Sequence, residues 1–295
     1  MKYSIIIPCS SSKYLNDCLK SIQNLDYPIS DFEVILVDNN HEKQLRYFAD
    51  KYLVKYVHEP ITGSYQARNT GANNAGGEIL IFIDSDCQVT SNWLKEIDKT
   101  FDQNVDSLMG KILGINKNNI AEFEQKFYEQ ITHDFLNNNN KTLSRIDTRN
   151  FAIKKHVFEK LNGFNSRLQY GGDMEFGALL HEHNKTIIFS ENVIINHVNE
   201  ICLDVIIKKR IKQNYNNFLI TSLHNPSFIK KYFPHLLAHQ NNFPAQCLRI
   251  ICKLGLTVCR WPAKIFINYK FFKLLNILAI KYGLLSAVCK KQINL

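Results

Sequence analysis

The chain of 295 residues is 45% apolar and 21% charged, which is a globular composition with length for one large core or two unequal ones, and it excludes wholesale disorder. The net charge of +9 is unevenly placed: residues 1–200 carry 21 basic and 26 acidic side chains (−5), while residues 201–295 carry 15 basic ones against Asp204 alone (+14). The eight cysteines include no C-x-x-C pair and no adjoining histidine cluster, so neither a disulfide framework nor a zinc site is expected, and the thiols read as reduced and buried.

Met1-Lys2-Tyr3-Ser4 runs directly into Ile5-Ile6-Ile7-Pro8-Cys9-Ser10, so no signal peptide is expected. That run, Phe32–Asp38 and Glu78–Asp86 are short, apolar and rich in β-branched residues, without polar alternation. They read as parallel strands covered by helices on both faces. Strands are expected near 3–7, 32–37, 54–57 and 78–83, with helices near 12–24, 41–51, 63–75 and 91–103. This alternation builds βαβ units. A strand near 107–114, a helix over 119–136, a loop at Asn137-Asn138-Asn139-Asn140 and a mixed segment over 148–198 follow. Beyond Cys202 the pattern is mostly helical.

Ligands of open α/β sheets sit beyond the carboxyl ends of the strands. Ser10, Asp38, Asp84 and Asp86 therefore share one rim. Asp84-Ser85-Asp86 ends a buried strand, and paired carboxylates there can hold a divalent cation whose remaining ligands are waters and substrate phosphates. Solvated loop aspartates are the plainer reading of a bare D-x-D, but their place beside Asp38 favours a site. Pro8-Cys9-Ser10-Ser11-Ser12 stands where a dinucleotide enzyme would carry G-x-G-x-x-G, and no Walker loop is present, so a bound diphosphate would need a metal to offset its charge.

Residues 63–87, GSYQARNTGANNAGGEILIFIDSDC, resemble the A-R-N-x-G…D-x-D core of the inverting GT-A glycosyltransferases of family two. SIIIPCSS…YLNDCLKSI, NFAIKKHVFEKLNGFN (150–165) and YGGDMEFGALLHEHNKTIIF (170–189) agree, the last with the G-G-D-x-E-F-G form of the base motif. The likeness spans about residues 3–210. It implies a GT-A fold and a metal-dependent hexosyltransferase that moves a sugar from a nucleotide-diphosphate donor, a UDP-sugar foremost, to a glycan or lipid-linked hydroxyl.

Carried over residue by residue, the resemblance places Pro8, Ser10, Asp38, Arg68 and Asp84 on the donor, Asp38 at the base and Arg68 at the phosphates. Asp86 and His197 would meet Mn²⁺ or Mg²⁺, Asp173 would be the general base and Glu175 would support the acceptor side. Asp173 also reads as a helix N-cap after Gly171-Gly172, which leaves it facing the cleft. Two departures stand out. Ser10 and Ser11 replace a common Tyr-Asn pair, and Glu200 stands where relatives often have the Arg of H-x-x-R, so phosphate contact would pass to Lys208, Lys209 or Arg210.

Residues 245–260 and the segment after Pro262 read as two basic amphipathic helices, each too interrupted by lysine or arginine to span a bilayer. They suit either an anionic membrane surface or a cap packed on the catalytic domain. No nucleic-acid motif accompanies the charge. The expected organisation is a GT-A catalytic domain at 1–200 and a helical, basic region at 201–295, cytoplasmic and peripheral on the inner face of the cell membrane, serving surface polysaccharide assembly. A nucleotidyltransferase is the alternative enzyme, and a non-catalytic membrane scaffold of the same fold is the alternative of another class.

Overall fold

A computed structural model describes residues 1–101, 104–137, 142–143, 145–237, 252–256 and 268–293. It divides into two compact units. The first, residues 1–115, 130–167 and 172–198, contains the sheet. The second gathers residues 116–129, 168–171 and 199–295.

In the first unit, β1 (Tyr3–Cys9), β2 (Phe32–Asp38), β3 (Lys55–His58) and β4 (Ile79–Phe82) run parallel in the order β3-β2-β1-β4. Every side chain of β4 is buried, and in β1 only Pro8 is partly open, as the lack of polar alternation demands. The sheet continues through β9 (Phe151–Lys154), β6 (Ser107–Gly114) and β10 (Ile187–His197) to the short β8 (Thr142–Leu143) and β7 (Leu136–Asn137); β5 (Cys87–Val89) pairs with β10. β9 is antiparallel to both β4 and β6, which makes the sheet mixed.

The helices are α1 (Leu15–Gln23), α2 (Arg46–Tyr52), α3 (Ser64–Asn73), α4 (Trp93–Thr100), α5 (Asn119–Phe135), α6 (Lys155–Lys160) and α7 (Gly172–Glu182). The helix expected over 41–51 begins only at Arg46. Asp38 is the cause: its Oδ2 accepts the Leu45 amide at 2.9 Å and its Oδ1 accepts Asn40 Nδ2 at 2.7 Å, which holds the intervening chain as a turn. Of the four asparagines expected as a loop, Asn137 ends β7, and Asn138–Asn140 lie outside the described residues.

Five phenylalanines tie the elements that carry the site. Phe82 of β4, Phe151 of β9, Phe158 of α6, Phe164 and Phe176 of α7 interlock, Phe164 and Phe176 at 4.9 Å between ring centres and Phe82 and Phe164 at 5.2 Å. Asn69 adds a polar staple, accepting the Phe164 amide at 2.9 Å and donating to its carbonyl at 2.7 Å.

The second unit holds α8 (Leu203–Asn217), α9 (Ile220–Leu223), α10 (Pro226–Tyr232), α11 (Pro234–Leu237), the start of α5 and α12 (Tyr269–Ile293). α10 starts where sequence chemistry requires: Asn225 caps the Phe228 amide at 2.9 Å with Pro226 in the first turn. α12 packs on α8, burying Phe272, Leu275, Ala279, Leu284 and Leu285, while Lys270, Lys273, Leu274, Ile277 and Lys281 stay exposed. The buried side of this second tail helix is thus taken up by α8 within the same unit. Most of the helix expected at 245–260 lies outside the described residues. Among the described residues no helix is long and apolar enough to cross a membrane.

Cys9, Cys18, Cys87, Cys202 and Cys252 are free thiols. Cys9, Cys18, Cys87 and Cys252 are buried as expected; Cys202 is exposed instead, because it precedes α8 outside its buried face.

Candidate active site

The parallel register sets Cys9 of β1 beside Asp38 of β2, so the strand ends form the expected rim. Ser10 lies exposed just past β1, and Pro8 is half-buried in register with Val37. Asp38 is on the rim but closed to solvent: Tyr56 donates to its Oδ2 at 2.8 Å, beside the Leu45 amide. Its carboxylate thus builds the rim loop in this conformation.

Asp84 and Asp86 follow β4 in a turn. Arg68, buried in α3, pairs through Nη2 with Asp84 Oδ1 and lies over the Tyr65 ring at 5.6 Å. Among the described residues its buried Nε has no hydrogen-bond partner. Asp86 faces His197, with Oδ2 3.5 Å from Nε2. Burial alone would raise the Asp86 carboxyl, but His197 and the Arg149 charge outweigh it and hold the group below the usual carboxylate range.

His197 reaches this place because β10 is irregular. Its pairing with β6 shifts between Ser190 and Ile194, and Asn150 secures the shift by donating Nδ2 to the Val193 carbonyl at 2.9 Å and the Lys111 carbonyl at 3.0 Å. Trp93 holds Asn150 in turn, its Nε1 donating to Oδ1 at 3.1 Å. Beyond the bulge, His197 pairs with Cys87 of β5. Asp86, Cys87 and His197 consequently offer ligand atoms within 4.8 Å of one another. A carboxylate suits Mn²⁺ or Mg²⁺ and an imidazole can join it, while burial pushes the adjoining Cys87 thiol up and leaves it a poor ligand for these hard ions. The residues fit a divalent cation. Asp86 and His197 are the pair the resemblance named; the place of Cys87 beside them was not legible in sequence, since Cys87 and His197 meet only across the sheet.

Asp173 lies in the first turn of α7. Tyr65 donates to its Oδ1 at 3.1 Å and accepts its amide at 3.2 Å, and the Met174 amide also donates to Oδ1 at 2.9 Å. Burial, then the charge of Asp147, push the Asp173 carboxyl upward against the opposing Arg145. The two preceding glycines are required: Gly171 has φ +82°, and a Cβ on Gly172 would lie 2.7 Å from the Tyr65 ring. Glu175 is buried, its Oε1 accepting Asn165 Nδ2 at 3.3 Å, so it braces the turn after α6.

Sequence reasoning missed Tyr65, Cys87 and the segment Arg145–Arg149. Asp147 is buried and grips Arg149 from both oxygens, Oδ1 to Nε at 3.0 Å and Oδ2 to Nη2 at 2.7 Å; Arg145 lies 3.9 Å away. Burial opposes its ionisation, but the two arginines win and drive its carboxyl far below the usual range. Arg149 Nη1 lies 3.4 Å from His197 Nδ1. The R-x-D-x-R spacing was the one available signal; Thr148 and Arg149 lie in a turn, where the Arg149 amide also donates to Asp147 Oδ1 at 3.1 Å. Arg210, expected at the phosphates, is engaged within the second unit by Glu124, Asn276 and Gln213.

The glycosyl transferase family 2 profile matches residues 4–161, more than half of the chain. The chain belongs to glycosyl transferase family 2. Among curated family relatives, glycosyltransferase AglE of Haloferax volcanii is 27% identical over 202 residues, 66% of either chain. The poly(ribitol-phosphate) β-N-acetylglucosaminyltransferase TarS of Staphylococcus aureus is 30% identical over 130 residues, covering 41% of this chain and 23% of TarS. This chain thus spans about two thirds of the first relative and under a quarter of the second. The fold is that of the GT-A enzymes. The mannosyltransferase PcManGT of Pyrobaculum calidifontis, solved with GDP-Man and Mn²⁺, superimposes with a TM-score of 0.65 at 16% identity, covering 98% of this chain and 88% of its own. TarS residues 1–349 with UDP-GlcNAc gives 0.55 at 16% identity, covering 100% and 92%.

Proposed function

We propose that this protein transfers a sugar, with inversion, from a nucleotide-diphosphate sugar to a hydroxyl of a glycan or lipid-linked acceptor. The observation that carries the reading is a chain of charged contacts inside the first unit. Arg149 touches His197, beside Asp86, and also grips Asp147, whose charge reaches Asp173. A base and a cation site are thus neighbours.

Asp173 takes the proton of the acceptor hydroxyl as that oxygen bonds to the anomeric carbon from the face opposite the leaving group. The bond from that carbon to the phosphate oxygen breaks, and the electron pair departs with the diphosphate. Tyr65 and the helix N-terminus orient the carboxylate, and burial keeps its affinity for the proton above that of a solvated aspartate. Asp86 and His197 would hold Mn²⁺ or Mg²⁺, which supplies positive charge toward the departing diphosphate. Asp84, held by Arg68, lines the donor side with Ser10 and Pro8. Holding donor and acceptor in line contributes up to roughly 7–11 kcal/mol in well-aligned systems.

Surface-polymer assembly is the proposed setting, supported by the likeness to TarS, whose own acceptor is a poly(ribitol-phosphate). The exposed Lys270, Lys273 and Lys281 with Leu274 and Ile277 support peripheral attachment to the inner face of the cell membrane. The test is release of nucleotide from UDP-, GDP- and dTDP-sugars with a hydroxyl acceptor, with and without Mn²⁺. Metal-dependent release from one donor class supports the reading, and no release from any donor refutes it.

A further inference from the structure

We propose that Arg149 is the side chain that meets the leaving diphosphate, doing the work of the arginine that is absent at position 200. The inference rests on the glycosyltransferase reading above and extends it to one residue. Glu200 cannot serve: it is an anion, and its Oε1 accepts the amides of Ile201 and Cys202 at 2.9 and 2.8 Å. Arg210 is held by Glu124 and Asn276 within its own unit.

Arg149 is placed differently. Nε and Nη2 form a two-pronged contact with Asp147, and the Arg149 amide donates to Oδ1 of the same carboxylate at 3.1 Å. That fork fixes the plane of the guanidinium and leaves Nη1 directed at His197, 3.4 Å from Nδ1. The following residue, Asn150, is locked by Trp93 and by the bulge in β10, so the backbone beneath Arg149 is fixed as well. The side chain keeps 22% of its surface open. Its charge also reaches Asp86 and Cys87 on the opposite side of the histidine.

A cation held in advance beside the histidine of a metal site faces the place where charge grows. As the bond between the anomeric carbon and the phosphate oxygen breaks, that oxygen keeps the electron pair, and Arg149 offers N–H donors to the diphosphate. No proton leaves the guanidinium, which stays charged throughout. Preorganised donors of this kind act without reorganisation during the reaction. The plainer role, neutralising Asp147 alone, would not make Arg149 sensitive to a second phosphate.

The experiment compares binding of UDP with UMP, and of the GDP/GMP and dTDP/dTMP pairs, to wild type, Arg149→Gln and Arg149→Lys, in Mn²⁺ and in EDTA. For the nucleotide that wild type prefers, Arg149→Gln is expected to lose about 10- to 100-fold in affinity for the diphosphate in both conditions, as for a lost charge-assisted hydrogen bond, with the monophosphate unchanged. Arg149→Lys should fall between. Equal losses for both nucleotides, or none, overturn the proposal. If Arg149→Gln does not fold, labelling of wild-type arginines with phenylglyoxal decides instead. Protection of Arg149 by the diphosphate and not by the monophosphate supports the role, and equal labelling with either one overturns it. Wild type that binds no nucleoside diphosphate in either condition removes the glycosyltransferase reading itself, and this inference with it.

Discussion

Tyr65 and Asp173, 108 positions apart in the chain, exchange two hydrogen bonds: the phenol donates to Oδ1 at 3.1 Å and accepts the aspartate amide at 3.2 Å. The ring is buried against Phe164, at 5.6 Å between centres, so the hydroxyl cannot drift. Tyr65 favours the charged carboxylate, but burial and Asp147 oppose it and prevail, leaving the Asp173 carboxyl above its ordinary value. A base must be unprotonated, so kcat should fall on acidification through a midpoint above the usual aspartate value of about 3.9. Tyr65→Phe removes a bond to the charged form and should move that midpoint higher. A pH profile of kcat checks both, and a limb that stays at the ordinary position in both proteins contradicts them.

Asp173→Asn keeps the shape of the side chain and removes its basicity. Nucleotide-sugar binding should persist, while transfer drops by the roughly 10²–10⁴-fold typical of a lost general base. Turnover measured beside equilibrium donor binding separates the two effects, and near-normal turnover would remove Asp173 from the base role.

Asp86→Ala deletes the carboxylate that faces His197 at 3.5 Å. The variant should fold and keep its metal-free nucleotide affinity, but lose the part that Mn²⁺ adds. Calorimetric titration with UDP or GDP, with and without Mn²⁺, reads this directly. An unchanged Mn²⁺ effect would place the cation elsewhere.

Asp147→Asn leaves Arg145 and Arg149 without their carboxylate. Breaking a buried ion pair costs about 3–5 kcal/mol, and the lower end applies because Arg149 is partly open to water. The folded carboxyl of Asp147 lies far below its unfolded value. Its stabilisation is therefore fully present above about pH 4 and is lost as pH falls from there toward the folded value. Urea unfolding should show the gap between wild type and variant narrowing below about pH 4. A gap that does not change with pH would mean the pair contributes through packing alone.

Lys270, Lys273 and Lys281 share the exposed side of α12 with Leu274 and Ile277. Each engaged lysine contributes about 1 kcal/mol near an anionic leaflet, within a screening length of ~8 Å at physiological salt. Cutting away α12 would bare the apolar side of α8, so substitution is the sounder test. The wild-type chain should float with phosphatidylserine vesicles at low salt, and the triple change to glutamine should float less. Vesicle binding that is absent at low salt would leave α12 with its packing on α8 alone.

The parallel strands and the helices between them were legible because buried strands, amphipathic helices and the D-x-D at the end of β4 are local patterns. Chain order alone could set Asp84 and Asp86 at a sheet rim, and Gly171-Gly172 ahead of Asp173 announced a tight entry into α7. The helix expected at 41–51 was mistaken in its first turn. Its amphipathic pattern carries no information about Asp38, whose carboxylate claims the Leu45 amide.

Only the tertiary structure could join Cys87 to His197, since the pairing depends on a bulge in β10 that Asn150 and Trp93 secure from other elements. The same holds for Arg149. In sequence it is one of 36 basic residues, and it gains its place through a fork to Asp147 and a contact with His197, 48 positions away. Hydrophobic periodicity is written along the chain and determined the layers of this protein from sequence alone. The charge relationships of its site depend on distances through space, which only the folded sheet establishes.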